Sequence, residues 1–275
     1  MVKTKVKYLF KVEVIIKKIK YKKEICAILD IDGVLWIGNS PGEGAVKFLD
    51  SLHSDDIPFC LLSNTCNVSK DKRFKELRDA GFKLESEQLI TAVEVTKDWL
   101  LETGVKTIMY LGTQDAFKDL QTSFVVKNTK PVDAVVIGDF FTNYERSLLN
   151  NATKAVIAGA TLVAMHRNPR WFDGIEWYVD NGFWVAGLEY VTGKKAIVLG
   201  KPYQNAYQAA MNRLGKSKSC SKDVIFISDD IMFDLKGAKD FDLRTVHFGS
   251  TETSQPWVDY YAKDYDSLLS LIRNG

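Results

Sequence analysis

Cys26-Ala27-Ile28-Leu29-Asp30-Ile31-Asp32-Gly33-Val34-Leu35-Trp36 is the stretch on which the reading of the chain turns. An unbroken apolar run leads into Asp30, the pattern of a strand buried on both faces of a parallel sheet. Two carboxylates then stand two positions apart, and a glycine follows. On an extended chain residues i and i+2 share a side. Two acids so placed repel unless a positive group lies between them, and a divalent cation with oxygen ligands is the natural third party. A carboxylate can also attack phosphorus. The stretch alone leaves calcium loops and ordinary turns open, because D-x-D-G occurs in both.

Working outward, the same pattern recurs. Ile57-Pro58-Phe59-Cys60-Leu61-Leu62 runs into Ser63-Asn64-Thr65, Ile197-Val198-Leu199 into Gly200-Lys201-Pro202, and Val224-Ile225-Phe226-Ile227 into Ser228-Asp229-Asp230. Helical spacing is expected over 45–52, 69–80, 91–102, 144–158, 205–214, 234–240 and 266–272. Further strands are expected at 107–111, 124–126, 134–137, 161–164 and 244–248. This alternation predicts an α/β fold with a doubly wound, Rossmann-like parallel sheet. The carboxyl ends of such strands face one crevice, where ligands bind. The crevice would gather Asp30, Asp32, Ser63, Asn64, Lys201, Asp229 and Asp230, a set suited to a phosphoryl group bridged by Mg²⁺. Singly, each piece has an ordinary reading: a capped turn at 63–65, a surface lysine at 201, acids favouring a helix N-terminus at 229–230. Their order and shared placement at strand ends favour the functional one.

A chain of 275 residues, 46% hydrophobic and 26% charged, has enough apolar material for one large domain or two modest ones. No apolar run reaches the 18 or so residues a membrane helix needs. Cys26, Cys60, Cys66 and Cys220 form no C-x-x-C pair, and Cys26 and Cys60, lying in apolar runs, read as buried thiols of a reducing compartment, so a cytoplasmic protein is expected. The net charge of +2 conceals an asymmetry. Residues 1–23 hold nine lysines and one acid, leaving 28 basic and 34 acidic residues beyond them. The body is therefore mildly acidic, and no nucleic-acid or membrane partner is expected for it. The arm reads as an appendage, an added edge strand at 10–14, or a targeting segment.

These motifs resemble those of the haloacid dehalogenase-like phosphatases. The resemblance rests on Asp30-Ile31-Asp32-Gly33-Val34-Leu35, Leu62-Ser63-Asn64-Thr65, Gly200-Lys201-Pro202, and Ser228-Asp229-Asp230 with Asp234 and Gly237-Ala238. Gly159-Ala160-Thr161-Leu162-Val163-Ala164 and Leu188-Glu189-Tyr190-Val191-Thr192-Gly193-Lys194 are similar to the branch with a type C2 cap. The resemblance implies a core of residues 1–103 and 195–275 with an inserted cap at 104–194. It implies that Asp30 is the nucleophile and Asp32 the general acid and base. Ser63, Asn64 and Lys201 would hold the phosphoryl group. Asp30, the Ile31–Asp32 backbone and Asp229 would bind Mg²⁺, with Asp234 orienting the metal shell.

Two departures stand out. Ser228 replaces the usual glycine of the fourth motif, with little effect expected. The cap stretch Met165-His166-Arg167-Asn168-Pro169-Arg170-Trp171 differs from the Thr-Asn-Pro-Asp common in relatives, and Arg167 and Arg170 are expected to bind the substrate. The reading is a Mg²⁺-dependent phosphatase of a small phosphorylated metabolite, acting through an aspartyl-phosphate, with homodimerisation left open. A phosphomutase, and a binding protein of the same fold without turnover, are the alternatives. A glycosyltransferase explains neither Gly200-Lys201-Pro202 nor the second acidic cluster.

Overall fold

The computed structural model describes residues 25–140, 145–172, 175–251 and 254–274. The lysine-rich arm, and with it the edge strand expected at 10–14, lies outside them.

The opening run forms β1 (Cys26–Leu29), every residue of it buried. A small hairpin follows, β2 (Trp36–Ile37) with β3 (Ser40–Pro41). Next come β4 (Phe59–Ser63) and β5 (Leu89–Thr91). The chain then builds a second sheet from β6 (Thr107–Leu111), β7 (Val125–Val126), β8 (Ala134–Ile137) and β9 (Thr161–Ala164). A hairpin of β10 (Arg170–Phe172) and β11 (Trp177–Val179) comes next, then β12 (Ile197–Val198). The first sheet is completed by β13 (Val224–Ser228), β14 (Arg244–Phe248) and β15 (Tyr260–Ala262).

The first sheet has the order β15-β14-β13-β1-β4-β5 and is parallel throughout. From β1 the chain builds outward through β4 and β5, then returns to the other side of β1 for the remaining strands. The order thus reverses beside β1, and ligands of open α/β sheets bind at such a switch point. Because Leu29 pairs with Ile227, the next residues, Asp30 and Ser228, stand side by side at the carboxyl end of the sheet. Two apolar layers cover its faces, one centred on Ile28, Tyr207 and Phe226, the other on Leu29, Leu49 and Ile227.

The second sheet, β12-β9-β8-β6-β7, is also parallel. Four of its strands, β6 to β9, lie within the stretch 104–194 expected to form a cap, and the fifth does not. Ile197 and Val198 pair with Val163 and Ala164, so the inserted sheet runs past the expected boundary at 194. Two residues of strand carry no local signal of which sheet they join. A helix at Gly182–Thr192 also went unread in the sequence. Its start, Gly182-Phe183-Trp184, is poor in helix formers, and its stability comes from Val185 and Leu188 packing into the apolar centre of the second sheet.

Candidate active site

Asp30, Lys201 and Asp234 form a buried triangle. Lys201 Nζ lies 2.6 Å from Asp30 Oδ1 and 2.6 Å from Asp234 Oδ2, with all three residues at most 6% exposed. Burial lowers the Lys201 ammonium pKa, but the two carboxylates outweigh it and keep the group charged. The Ile31 amide donates to Asp30 Oδ1 at 2.8 Å. Ser228 is fully buried, and its hydroxyl lies 3.0 Å from Asp30 Oδ2 and 3.3 Å from Asp234 Oδ2. Ser228 stands where relatives usually carry glycine. It adds a donor that reaches both carboxylates of the triangle.

The pair at 229–230 divides its labour. Asp230 Oδ1 accepts from the amides of Met232 and Phe233, capping the turn at Ile231–Leu235. That wide turn carries Asp234 into the site and runs on into a short helix, Lys236–Asp240. Asp229 instead packs against Gly33, where any Cβ would overlap its carboxylate and where φ is +81°. Burial and the charge of Asp30, against the pull of Lys201, push Asp229 up to about 7. Asp30, Asp229 and Asp234 are thus crowded acids with oxygen donors, short of positive charge. Among the described residues no three acidic, His or Cys side chains converge as a ready-made metal cage, since Asp30 and Asp234 both turn to Lys201.

Asp32 stands at the rim. Its side chain is 64% exposed, and Oδ1 accepts from Arg73 Nη2 at 2.9 Å. The protein mass crowded beneath it raises its carboxyl pKa against the opposing pull of Arg73, while its outer edge keeps contact with water. Arg73 left no trace in the sequence reading, being one cation on a charged helix, Lys70–Asp79.

Ser63 ends β4, next to β1, and its hydroxyl pairs with that of Thr65 at 2.8 Å. Asn64 is committed to protein at both ends. Its amide donates to the Lys201 carbonyl at 2.9 Å and to Asn168 Oδ1 at 3.3 Å, and its carbonyl accepts from the Lys201 amide at 2.8 Å. A Cβ on Gly200 would come within 2.6 Å of Asn64 Oδ1, so the second and third motifs interlock there.

The cap arginines each have a protein partner. Arg167 forms a two-pronged ion pair with Glu189, at 2.8 and 3.0 Å, because the helix Gly182–Thr192 brings that carboxylate across from it. Arg170 lies over the Trp177 ring, 4.7 Å from its centroid, on the exposed hairpin. Neither reaches the triangle. The part of the loop that meets the core is Asn168, on Asn64, with buried His166 beside it. The Asn168 amide donates to His166 Nδ1 at 3.3 Å, which fixes the neutral ring as the Nε2–H tautomer. Burial lowers the His166 pKa to about 4.

Residues 27–123 match a family model described as haloacid dehalogenase-like hydrolase, and residues 198–270 match a second, HAD-hydrolase-like model. The chain belongs to the haloacid dehalogenase-like hydrolases. Haloacid dehalogenase-like hydrolase domain-containing protein 2 of Bos taurus is 26% identical over 224 residues, which span 80% of this chain and 82% of that protein. Ribonucleotide monophosphatase NagD of Escherichia coli K12 is 25% identical over 220 residues, 80% of this chain and 85% of its own. A solved p-nitrophenyl phosphatase from Archaeoglobus fulgidus superposes with a TM-score of 0.82 at 19% identity, covering 90% of this chain and 99% of its own. As a haloacid dehalogenase-like hydrolase with a second parallel sheet inserted between β5 and β13, the chain falls in the C2-capped branch.

Proposed function

We propose that this haloacid dehalogenase-like hydrolase is a phosphatase that cleaves a small phosphorylated compound through a phosphorylated Asp30. The buried triangle of Lys201 with Asp30 and Asp234, 2.6 Å on each side, carries the reading. An anionic nucleophile attacks an anionic phosphate only where fixed positive charge lies between them, and Lys201 supplies it at the switch point of the sheet.

In the first half-reaction an Asp30 oxygen bonds to phosphorus while the ester oxygen departs, taking a proton from Asp32. In the second, Asp32 accepts a proton from water, whose oxygen bonds to phosphorus. The Asp30–phosphorus bond breaks, and inorganic phosphate leaves. Ser63 is assigned as a donor to the phosphoryl oxygens. Asn64 is assigned a positioning role, since both ends of its amide hold the Lys201 backbone and the cap.

The crowded oxygen donors and the raised Asp229 suit Mg²⁺ better than a soft metal. Asp30, the backbone carbonyl of Asp32 and Asp229 would hold it, with Asp234 outside them. When bound, the ion supplies positive charge to the phosphoryl oxygens. We assign residues 104–198 as the lid. Its bonds to the core beside the crevice, Asn168 to Asn64 and the Asp119 carboxylate to the Lys70 amide at 2.8 Å, suit exclusion of water from a small substrate. His166 and Asn168, not Arg167 and Arg170, then form the part of the lid nearest the phosphate.

Phosphate release from 4-nitrophenyl phosphate, with and without Mg²⁺, is the test. Mg²⁺-dependent release that Asp30→Asn abolishes is expected. A wild-type protein that releases no phosphate with Mg²⁺ present contradicts the reading.

A further inference from the structure

Arg73 is a cation the proposed reaction does not yet use, and its setting is constructed in detail. It is 9% exposed. Its guanidinium lies 5.2 Å from the centroid of the Trp36 ring, and Nη1 contacts Glu76 at 3.4 Å. Nη2 donates to Asp32 Oδ1 at 2.9 Å, while the buried Nε has no partner.

The helix carrying it is fixed at its start. Ser69 caps it by accepting from the Lys72 amide, the Lys70 amide donates to Asp119, and Thr113 bonds the Asn67 carbonyl just before it, at 2.7 Å. Thr113 and Asp119 belong to the inserted segment, so the lid itself holds the start of this helix. Arg73 is one turn further on. A planar guanidinium stacked on an indole has few orientations open to it. A side chain on an anchored helix, seated on Trp36 and bracketed by two acids, presents its Nη2 at one place.

We propose that Arg73 is a positioning residue for Asp32. It fixes one oxygen of the carboxyl at the crevice rim so that the other is aimed at the departing ester oxygen and, later, at the attacking water. The inference rests on the role of Asp32 in the proposed phosphatase reaction. Asp32 is 64% exposed and bonds to Arg73 through Oδ1. A carboxyl at the rim without that bond samples several rotamers, and proton transfer needs hydrogen-bond reach. The lid's hold on the helix means that a displaced lid also displaces the group that aims Asp32.

Leaving-group dependence tests this. The value of kcat/KM reports the step in which the ester oxygen departs. 4-Nitrophenolate leaves without a proton, whereas an alkoxide needs one. Arg73→Met and Arg73→Lys are compared with wild type and Asp32→Asn on 4-nitrophenyl phosphate and glycerol phosphate, after thermal unfolding confirms that each is folded. For Arg73→Met, kcat/KM on glycerol phosphate should fall about tenfold or more, a fraction of the 10²–10⁴ that proton transfer typically supplies. On 4-nitrophenyl phosphate it should stay within about threefold. Arg73→Lys should recover part of the loss, because it restores the charge without the fork.

Equal losses on the two esters, or none on either, overturn the positioning role. The Asp32→Asn variant separates this failure from failure of the underlying reading. If Asp32→Asn shows the leaving-group dependence and Arg73→Met does not, Arg73 does not aim Asp32. If Asp32→Asn itself shows none, the acid assignment falls and the role of Arg73 falls with it.

Discussion

Replacing Lys201 by Met removes the cation that Asp30 and Asp234 share. Both carboxylates are 6% exposed and both lie 2.6 Å from the ammonium. Taking one partner from a buried ion pair costs about 3–5 kcal/mol, because the remaining charge is left in a poorly solvating interior. In a chain of this size one kcal/mol moves Tm by roughly 2–4 °C, so in Mg²⁺-free buffer a fall of roughly 6–20 °C is expected. The loss should depend on pH in a definite direction. Burial already raises the Asp234 carboxyl well above its usual range, with Lys201 pulling it back, and without Lys201 it rises further. A carboxyl raised in the folded state contributes stability at low pH that is lost as pH rises through its folded value. The Tm deficit should therefore be larger at about pH 8 than at about pH 5. Activity should drop by about 10²–10³, as for the loss of a fixed charge that meets the transition state. Thermal unfolding at the two pH values, followed by phosphate-release kinetics, makes the measurement. A variant within about 2 °C of wild type at the higher pH, or with equal deficits at both, refutes the argument.

Other perturbations test separate parts of the site. Activity lost in Asp234→Asn should be partly restored by raising Mg²⁺, with about 10–100-fold at stake, and that of Asp229→Ala much less; equal rescue would reverse their roles. His166, lowered to about 4 by burial, contributes stability above its unfolded value near 6.5 that is lost as pH falls toward 4, roughly 3 kcal/mol at most. The difference in Tm between wild type and His166→Gln should accordingly narrow across that window, and a constant difference would contradict it. Arg167→Ala strips Glu189, whose side chain is 5% exposed, of its two-pronged partner. It should destabilise the protein by about 1–3 kcal/mol while leaving the rank order of phosphorylated substrates unchanged; a reordered ranking would return Arg167 to the substrate.

Which parts of this site were legible in the sequence follows from the range of the interactions involved. Asp30, Ser63, Lys201 and Asp229 each sit where an apolar run stops, and both the run and the stop are local. The first sheet brings three of these signals to one place, and Lys201, which follows a strand of the second sheet, is tied to them through Asn64. Asp230 and Asp229 are indistinguishable as neighbouring acids. Only the backbone of the turn at Ile231–Leu235 makes one a cap and leaves the other facing Gly33. Ser228 was visible as a departure from glycine, but its reach to two carboxylates depends on the register of β1 against β13. Arg73 meets Asp32 across 41 positions, and Arg167 meets Glu189 across 22. No periodicity records such pairings. The two cap arginines looked available to a substrate because the helix that occupies one, and the aromatic hairpin that holds the other, were not read as elements.

The most direct measurement is to mix the protein with Mg²⁺ and 4-nitrophenyl phosphate, quench in acid within a turnover, and map the peptides by mass. The account predicts one phosphoryl group on the peptide containing Asp30, chased away when substrate runs out and absent from Asp30→Asn. Steady hydrolysis with no phosphorylated peptide at any time, or with the phosphoryl group on another residue, would contradict it.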